Sequence, residues 1–136
     1  MIKLIVVDDD DINNFLLSHL LKKSSYPVQH SAFTNPVDAL SYIKNAVAGN
    51  EEIDLILLDI NMPLMSGWDV LNELRSSGTS LIQKQRIYML SSSVHATDID
   101  QAKEYSEVSG FISKPITLEF LTGIFKEITD SRQEVS

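Results

Sequence analysis

The chain has 136 residues and a formal charge of −8, eleven basic residues standing against nineteen acidic ones. That length supports one domain with a real core, and 43% apolar residues exclude a wholly disordered chain. With no basic stripe and no cysteine, direct nucleic-acid binding, attraction to anionic membranes, disulfides and cysteine metal sites are all disfavoured or excluded. No apolar run approaches the roughly 20 residues of a membrane span. The opening Met1-Ile2-Lys3 has neither the length nor the flanks of a signal peptide. A cytoplasmic protein without membrane insertion is therefore the expectation.

Short β-rich runs alternate with longer helical patterns along the chain. The first strand, about 3–7, is apolar and runs straight into four aspartates, Asp8 to Asp11. Ile12, Phe15, Leu16, His19, Leu20 and Lys23 then recur at helical spacing, predicting an amphipathic helix that ends before Tyr26-Pro27. The second strand, about 28–32, is the most polar and reads as a sheet edge. Asn35-Pro36 supplies a cap and a first-turn proline for the second helix. Val37, Leu40 and the stretch 43–47 give it an apolar face, and it runs out at Gly49-Asn50.

A third strand, 54–58, ends on Asp59. Trp68 to Arg75 forms the third helix, stopped by Ser76-Ser77-Gly78, with Trp68 packing near the Met62-Pro63 loop. The fourth strand, 86–90, ends in Ser91-Ser92-Ser93, and a less apolar helix follows from Asp98 to about Glu107. The fifth strand, 110–113, leads into Ser113-Lys114-Pro115, and Thr117 caps a last helix striped by Leu118, Leu121, Ile124, Phe125 and Ile128. Residues 1–130 read as one domain, and 131–136 as a short polar tail that frays.

Five βα units in succession specify a parallel sheet with helices on both faces. The expected architecture is the flavodoxin-like α/β sandwich of three layers with strand order 2-1-3-4-5. The first and third strands are then neighbours at the switch point, where ligands of open α/β sheets bind. That brings Asp8 and Asp9 close to Asp59.

Several carboxylates in one pocket repel one another, and a divalent cation is the simplest compensation. A carboxylate oxygen can also attack an activated phosphorus, which gives Asp59 a role as nucleophile as well as metal ligand. Asp8 and Asp9 suit magnesium, a hard ion held by oxygen ligands and water. Asp11 fits a helix cap or first-turn charge, whereas Asp10 is open between supporting the metal ligands and facing solvent. The Ser91 hydroxyl at a strand terminus can donate to a phosphoryl oxygen. Lys114 can pair with Asp59 before reaction and with a phosphoryl oxygen afterwards, aimed by Pro115 if the peptide bond between them is cis.

Together these residues resemble the receiver domain of bacterial two-component response regulators, in its stand-alone, chemotaxis-like form. Val7-Asp8-Asp9 matches the family's acidic pair, and Asp59 with Met62-Pro63 and Gly67 matches the segment around the phosphoacceptor. Ser91 falls at the switch hydroxyl and Lys114-Pro115 at the family's Lys-Pro. The resemblance covers the chain through about residue 129. It implies that Asp59 accepts a phosphoryl group from a phosphohistidine on a sensor histidine kinase or histidine phosphotransfer protein. It further implies that Asp8, Asp9, Asp59 and the Asn61 backbone carbonyl hold Mg2+, with Mn2+ as a substitute, and that Lys114 and Ser91 hold the phosphoryl oxygens. The chain would catalyse its own phosphorylation and slow dephosphorylation and would not otherwise be an enzyme. Phosphorylation is expected to switch a partner face made by the fourth helix, fifth strand and fifth helix, with Ser91, Phe111 and Tyr105 contributing.

Two departures from the family pattern stand out. Ser91 keeps the hydroxyl of the commoner threonine without its methyl group, and Phe111 can repack but has no hydroxyl to offer a partner. Because the chain stops soon after the fifth helix, output is expected in trans. It would be either binding of a downstream protein or relay of phosphate to a histidine phosphotransfer protein. A magnesium-dependent aspartyl-phosphate hydrolase is disfavoured, since Asn61 stands second after Asp59 and no connection is long enough for a substrate cap. His19, His30 and His95 are scattered and offer no metal-ligand spacing.

Overall fold

The computed structural model describes residues 1–77, 86–92 and 95–134; Gly78, Ser93 and the last two residues of the expected tail lie outside the described residues. The elements are β1 (Ile2–Val7), α1 (Asp11–Lys22), β2 (Val28–Phe33), α2 (Pro36–Ala48), β3 (Leu55–Asp59), α3 (Gly67–Ser76), β4 (Arg86–Ser91), α4 (Ala96–Ala102), β5 (Val108–Ser113) and α5 (Leu118–Glu134). All strand pairs are parallel, in the order β2-β1-β3-β4-β5. This is the flavodoxin-like sandwich, with the polar strand β2 at an edge.

Strand alternation divides the core into two layers. Ile5 and Val7 of β1, Ile56 and Leu58 of β3, and Ile87 and Met89 of β4 pack with Ile43 of α2 and Val70 and Leu71 of α3. Leu4 and Val6, Leu55 and Leu57, and Leu90 face the other way, onto Leu17 and Leu21 of α1 and Leu121, Ile124 and Phe125 of α5. Every residue of β3 is buried, as a central parallel strand covered on both faces requires.

Three helices depart from the sequence expectation. In α1 the core-facing residues are Leu17 and Leu21, whereas Ile12, Phe15 and Leu16 stand 70%, 61% and 47% exposed. The helix is apolar on two sides, and its junction with β1 decides which side meets the sheet. Helix α4 starts earlier and stops well before Glu107. The Asp98 carboxylate accepts the His95 N–H, and from Lys103 to Tyr105 the amides bond three residues back, at 3.3, 3.0 and 3.0 Å. This tightening turns Tyr105 inward and lets Glu107 reach Arg75 of α3. The fifth helix continues through Glu134, past the point where a frayed tail was expected. Arg132 explains the extension, because its guanidinium bonds both the Asp54 carboxylate and the Met1 carbonyl.

Candidate functional site

The site lies at the carboxyl ends of β1, β3, β4 and β5, and sheet register builds it. Val7 pairs with Leu58, so the residues that follow, Asp8 and Asp59, meet as neighbours. Leu90 pairs with Asp59, and Ser91 pairs with Ser113, so Ser91 and Lys114 complete the rim. The Lys114 N–H donates to the Ser91 carbonyl at 2.9 Å, and the Lys114–Pro115 peptide is cis.

The acidic turn after β1 is organised by its own backbone. Asp8 Oδ1 accepts the Asp10 N–H at 2.9 Å, and Asp10 in turn caps α1 by accepting the Ile12 N–H at 2.9 Å. Asp10 is therefore the cap and Asp11 the first-turn charge beside it. Asn14 reaches back six residues to donate to the Asp8 carbonyl at 2.9 Å. The role of Asn14 was not anticipated from the sequence. Its signal was an Asn-Asn pair in a helix first turn, where such side chains compete for backbone groups.

Asp8 and Asp59 are buried, at 1% and 4% exposure, while Asp9 is open to solvent. One oxygen from each of the three carboxylates lies within 4.8 Å of the others, a spacing that fits a single hard cation. The Lys114 ammonium bridges the two buried members, 2.9 Å from Asp8 Oδ2 and 3.2 Å from Asp59 Oδ2. Burial and then the Asp8 charge push the Asp59 carboxyl up to about 6, against the opposing pull of Lys114. Burial works against the Lys114 charge, but its hydrogen bond to Asp8 and the two carboxylate charges outweigh that and raise its pKa. The arrangement favours any event that brings further positive charge to Asp59.

Gly67 holds β3 from the other side. Its N–H donates to the Ile60 carbonyl at 2.9 Å, and a Cβ there would lie 2.6 Å from the Asp59 carbonyl oxygen. Ser91 is buried at the end of β4. Asn61 is exposed, and its N–H lies 3.4 Å from Asp59 Oδ1.

The expected switch aromatics are placed unequally. Phe111 is half-buried on β5 and meets Trp68 edge-on at 6.4 Å. Tyr105 is not on the surface. It is buried against Trp68 at 5.2 Å, donates its hydroxyl to Asn72 at 2.8 Å and lies beneath the Arg75 guanidinium. Tyr105, expected to contribute to the partner face, is thus folded inward by the tightened end of α4 and offers that face little surface of its own. Trp68 packs in the layer that includes Met62, and its indole N–H has no hydrogen-bond partner among the described residues.

Known proteins resemble the chain in sequence and in fold. The chain is 31% identical over 122 residues to the Dictyostelium discoideum 3',5'-cyclic-nucleotide phosphodiesterase regA, covering 88% of this chain and 14% of that protein. It is 33% identical over 119 residues to the Salmonella typhimurium sensor histidine kinase RcsC, covering 87% of this chain and 11% of that protein. The chain thus spans only a small part of the curated relatives it matches. Among solved structures, a two component response regulator from Cytophaga hutchinsonii superposes with a TM-score of 0.83 at 26% identity, over 94% of this chain and 96% of that one. Since the model of the response regulator receiver domain matches residues 4–126, the chain belongs to that family of two-component signalling domains.

Proposed function

We propose that Asp59 accepts a phosphoryl group from a phosphohistidine and that the product switches a partner-binding face. The observation that carries this reading is the buried pair Asp8 and Asp59 bridged by Lys114, with Asp9 at its open side. Asp59 is the carboxylate at the end of a fully buried central strand, held by Gly67, and so is presented in one orientation.

In the transfer, an Asp59 oxygen forms the new bond to phosphorus as the phosphorus–nitrogen bond of the donor breaks. The electron pair of that bond stays on the imidazole nitrogen, which takes up a proton. Lys114 exchanges its contact with Asp59 for one with a phosphoryl oxygen and keeps Asp8 as its anchor. Ser91 donates its hydroxyl to a second phosphoryl oxygen. The donor set of Asp8, Asp9, Asp59 and the Asn61 carbonyl fits magnesium, which when bound supplies charge neutralisation of the transferring group. Inward movement of Ser91 frees space toward Phe111 and biases the surface of α4, β5 and α5 between two states.

The donor is a sensor histidine kinase or a histidine phosphotransfer protein in the cytoplasm of a bacterium. Its docking surface is the outward face of α1. Ile12, Phe15 and Leu16 form an exposed apolar patch there, and a cleft of about 290 Å³ beside it runs past Leu20 and Ile116 to Asp8 and Lys114. A second reading, relay of phosphate onward to another histidine, is favoured by the likeness to a segment of a sensor histidine kinase. Among the described residues no helix is long and apolar enough to cross a membrane.

Intact-protein mass after incubation with acetyl phosphate and magnesium tests the proposal. One added phosphate is expected on the native chain, absent from Asp59→Asn and blocked by a chelator. Failure to gain phosphate, together with failure to bind beryllofluoride, would sink it. Return of phosphate to a histidine phosphotransfer protein separates relay from binding output.

A further inference from the structure

A second cleft, of about 510 Å³, opens between β4 and α5 and is lined by Tyr88, Thr117, Glu119, Phe120, Gly123 and Glu127 among others. We propose that it seats a basic segment of another protein, with one large apolar side chain inserted over Gly123 and cationic side chains on Glu119 and Glu127. The proposal deepens the proposed function, on which it rests for the assignment of this side of the molecule as the output face.

The glycine is the most telling residue. Gly123 sits inside the 17-residue helix α5, where glycine weakens a helix relative to alanine. A Cβ built there meets no atom within 4 Å, so nothing in the described chain requires the position to be small. The space above it is open to solvent and to anything arriving from outside. The neighbouring wall is aromatic. Phe120 stands 44% exposed and meets Tyr88 edge-on, with centroids 6.1 Å apart and planes at 90°. The Tyr88 ring packs against Gly110 of β5, where a Cβ would come within 3.3 Å of it. A second glycine thus lets the aromatic wall lie close to the edge strand.

Charge selects the occupant. Glu119 and Glu127 are exposed and lie two helical turns apart, about 12 Å along α5, with the glycine midway between them. Arg86 approaches Glu127 only at 3.8 Å and leaves that carboxylate 64% exposed. A second copy of this chain would bring the same carboxylates and another −8 of charge, and an anionic membrane would be repelled in the same way. A cationic partner segment with an aliphatic or aromatic anchor matches both features.

The test begins with random short peptides displayed on phage and selected on the beryllofluoride-loaded native chain. Enriched peptides are expected to pair Lys or Arg with one large apolar residue and to shift the amide resonances of Tyr88, Phe120 and Gly123. Gly123→Leu should weaken their binding about tenfold or more while leaving the fold intact. Gly123→Ala should raise Tm by about 2 °C, showing that the glycine is not there for stability. The double variant Glu119→Lys with Glu127→Lys should lose the basic peptides. Acidic winners, unchanged affinity in Gly123→Leu, no enrichment, or dimers that sediment through this face would overturn the proposal. Phosphate incorporation at Asp59, measured on the same samples, keeps the two ideas apart. Labelling without peptide binding defeats the cleft alone, and peptide binding to a chain that gains neither phosphate nor beryllofluoride defeats only the phosphoacceptor reading.

Discussion

Lys114 stands closer to Asp8 than to Asp59, its ammonium 2.9 Å from an oxygen of the first and 3.2 Å from an oxygen of the second. A cation anchored on Asp8 can release Asp59 without leaving the site. That is the geometry needed if one lysine is to serve both the free carboxylate and its phosphorylated form.

Lys114→Met keeps the aliphatic stem and removes the charge, leaving two buried carboxylates facing each other. Removing one partner of a buried ion pair is strongly destabilising, but here Asp59 can relieve the repulsion by taking up a proton. A loss of about 2 kcal/mol in urea unfolding of the metal-free protein is expected. Phosphate incorporation from acetyl phosphate should fall on the order of 100-fold, as for loss of a pre-placed charge donor. Labelling at the native rate would remove Lys114 from the mechanism.

The metal-free protein should show an inverted pH dependence around Asp59. With the folded carboxyl pushed up to about 6 from 3.8, the native state holds a proton that the unfolded chain has already released. The contribution of Asp59 to stability is thus greatest below 3.8 and is lost as pH rises through about 6. Asp59→Asn, which cannot ionise, should melt on the order of 5 °C higher than the native chain above this window, in chelator. The gap should close toward the acid end. A native chain that gains stability relative to Asp59→Asn across the same range would show the carboxyl to be lowered instead.

The opposite sign is expected at Glu107. Arg75 binds this buried carboxylate through Nε at 2.8 Å and Nη2 at 2.6 Å, and the hydrogen bonds hold its pKa below the usual 4.5. Its stabilisation is present above 4.5 and is lost as pH falls through the lowered value. Arg75→Met should cost about 1–2 kcal/mol at neutral pH, between the limits for exposed and buried pairs. The cost should shrink under acid conditions, and thermal melts of both proteins over a pH series would read it. Because Arg75 also covers Tyr105, the variant should alter tyrosine and tryptophan emission.

Gly67→Ala tests how tightly α3 is set against Asp59. The added methyl would lie 2.6 Å from the Asp59 carbonyl oxygen and 2.7 Å from Met89 Cε. Met89 can yield, but the backbone of β3 cannot, so a loss of about 2 kcal/mol is expected. Labelling of Asp59 should slow even where the variant is fully folded by circular dichroism. Native stability in this variant would mean that the α3 start is looser than the hydrogen bond from Gly67 to Ile60 suggests.

Much of the fold was legible locally. The apolar runs ending on Asp8 and Asp59 announced central parallel strands with carboxylates at their ends, and the polarity of β2 announced an edge. Asn35 caps α2 as its side chain suggested, accepting the Val37 N–H at 2.9 Å, and Thr117 accepts the Phe120 N–H at 3.2 Å. These features depend on groups a few residues apart, which the chain order itself brings together.

Other features were decided at a distance. The periodicity of α1 marked Ile12, Phe15 and Leu16 as one apolar face, yet the sheet took Leu17 and Leu21. Periodicity shows that a helix has an apolar face, but only the turn tied by Asp8, Asp10 and Asn14 chooses which side looks inward. The end of α4 and the burial of Tyr105 accompany Glu107 meeting Arg75, which lies 32 residues earlier. The helical tail is tied to Asp54, 78 residues away. The sequence by itself determined which side chains could do chemistry and the order of strands that would gather them. Tertiary structure alone decided that Lys114 bridges Asp8 and Asp59, because strand register and burial set those distances and no local pattern encodes them.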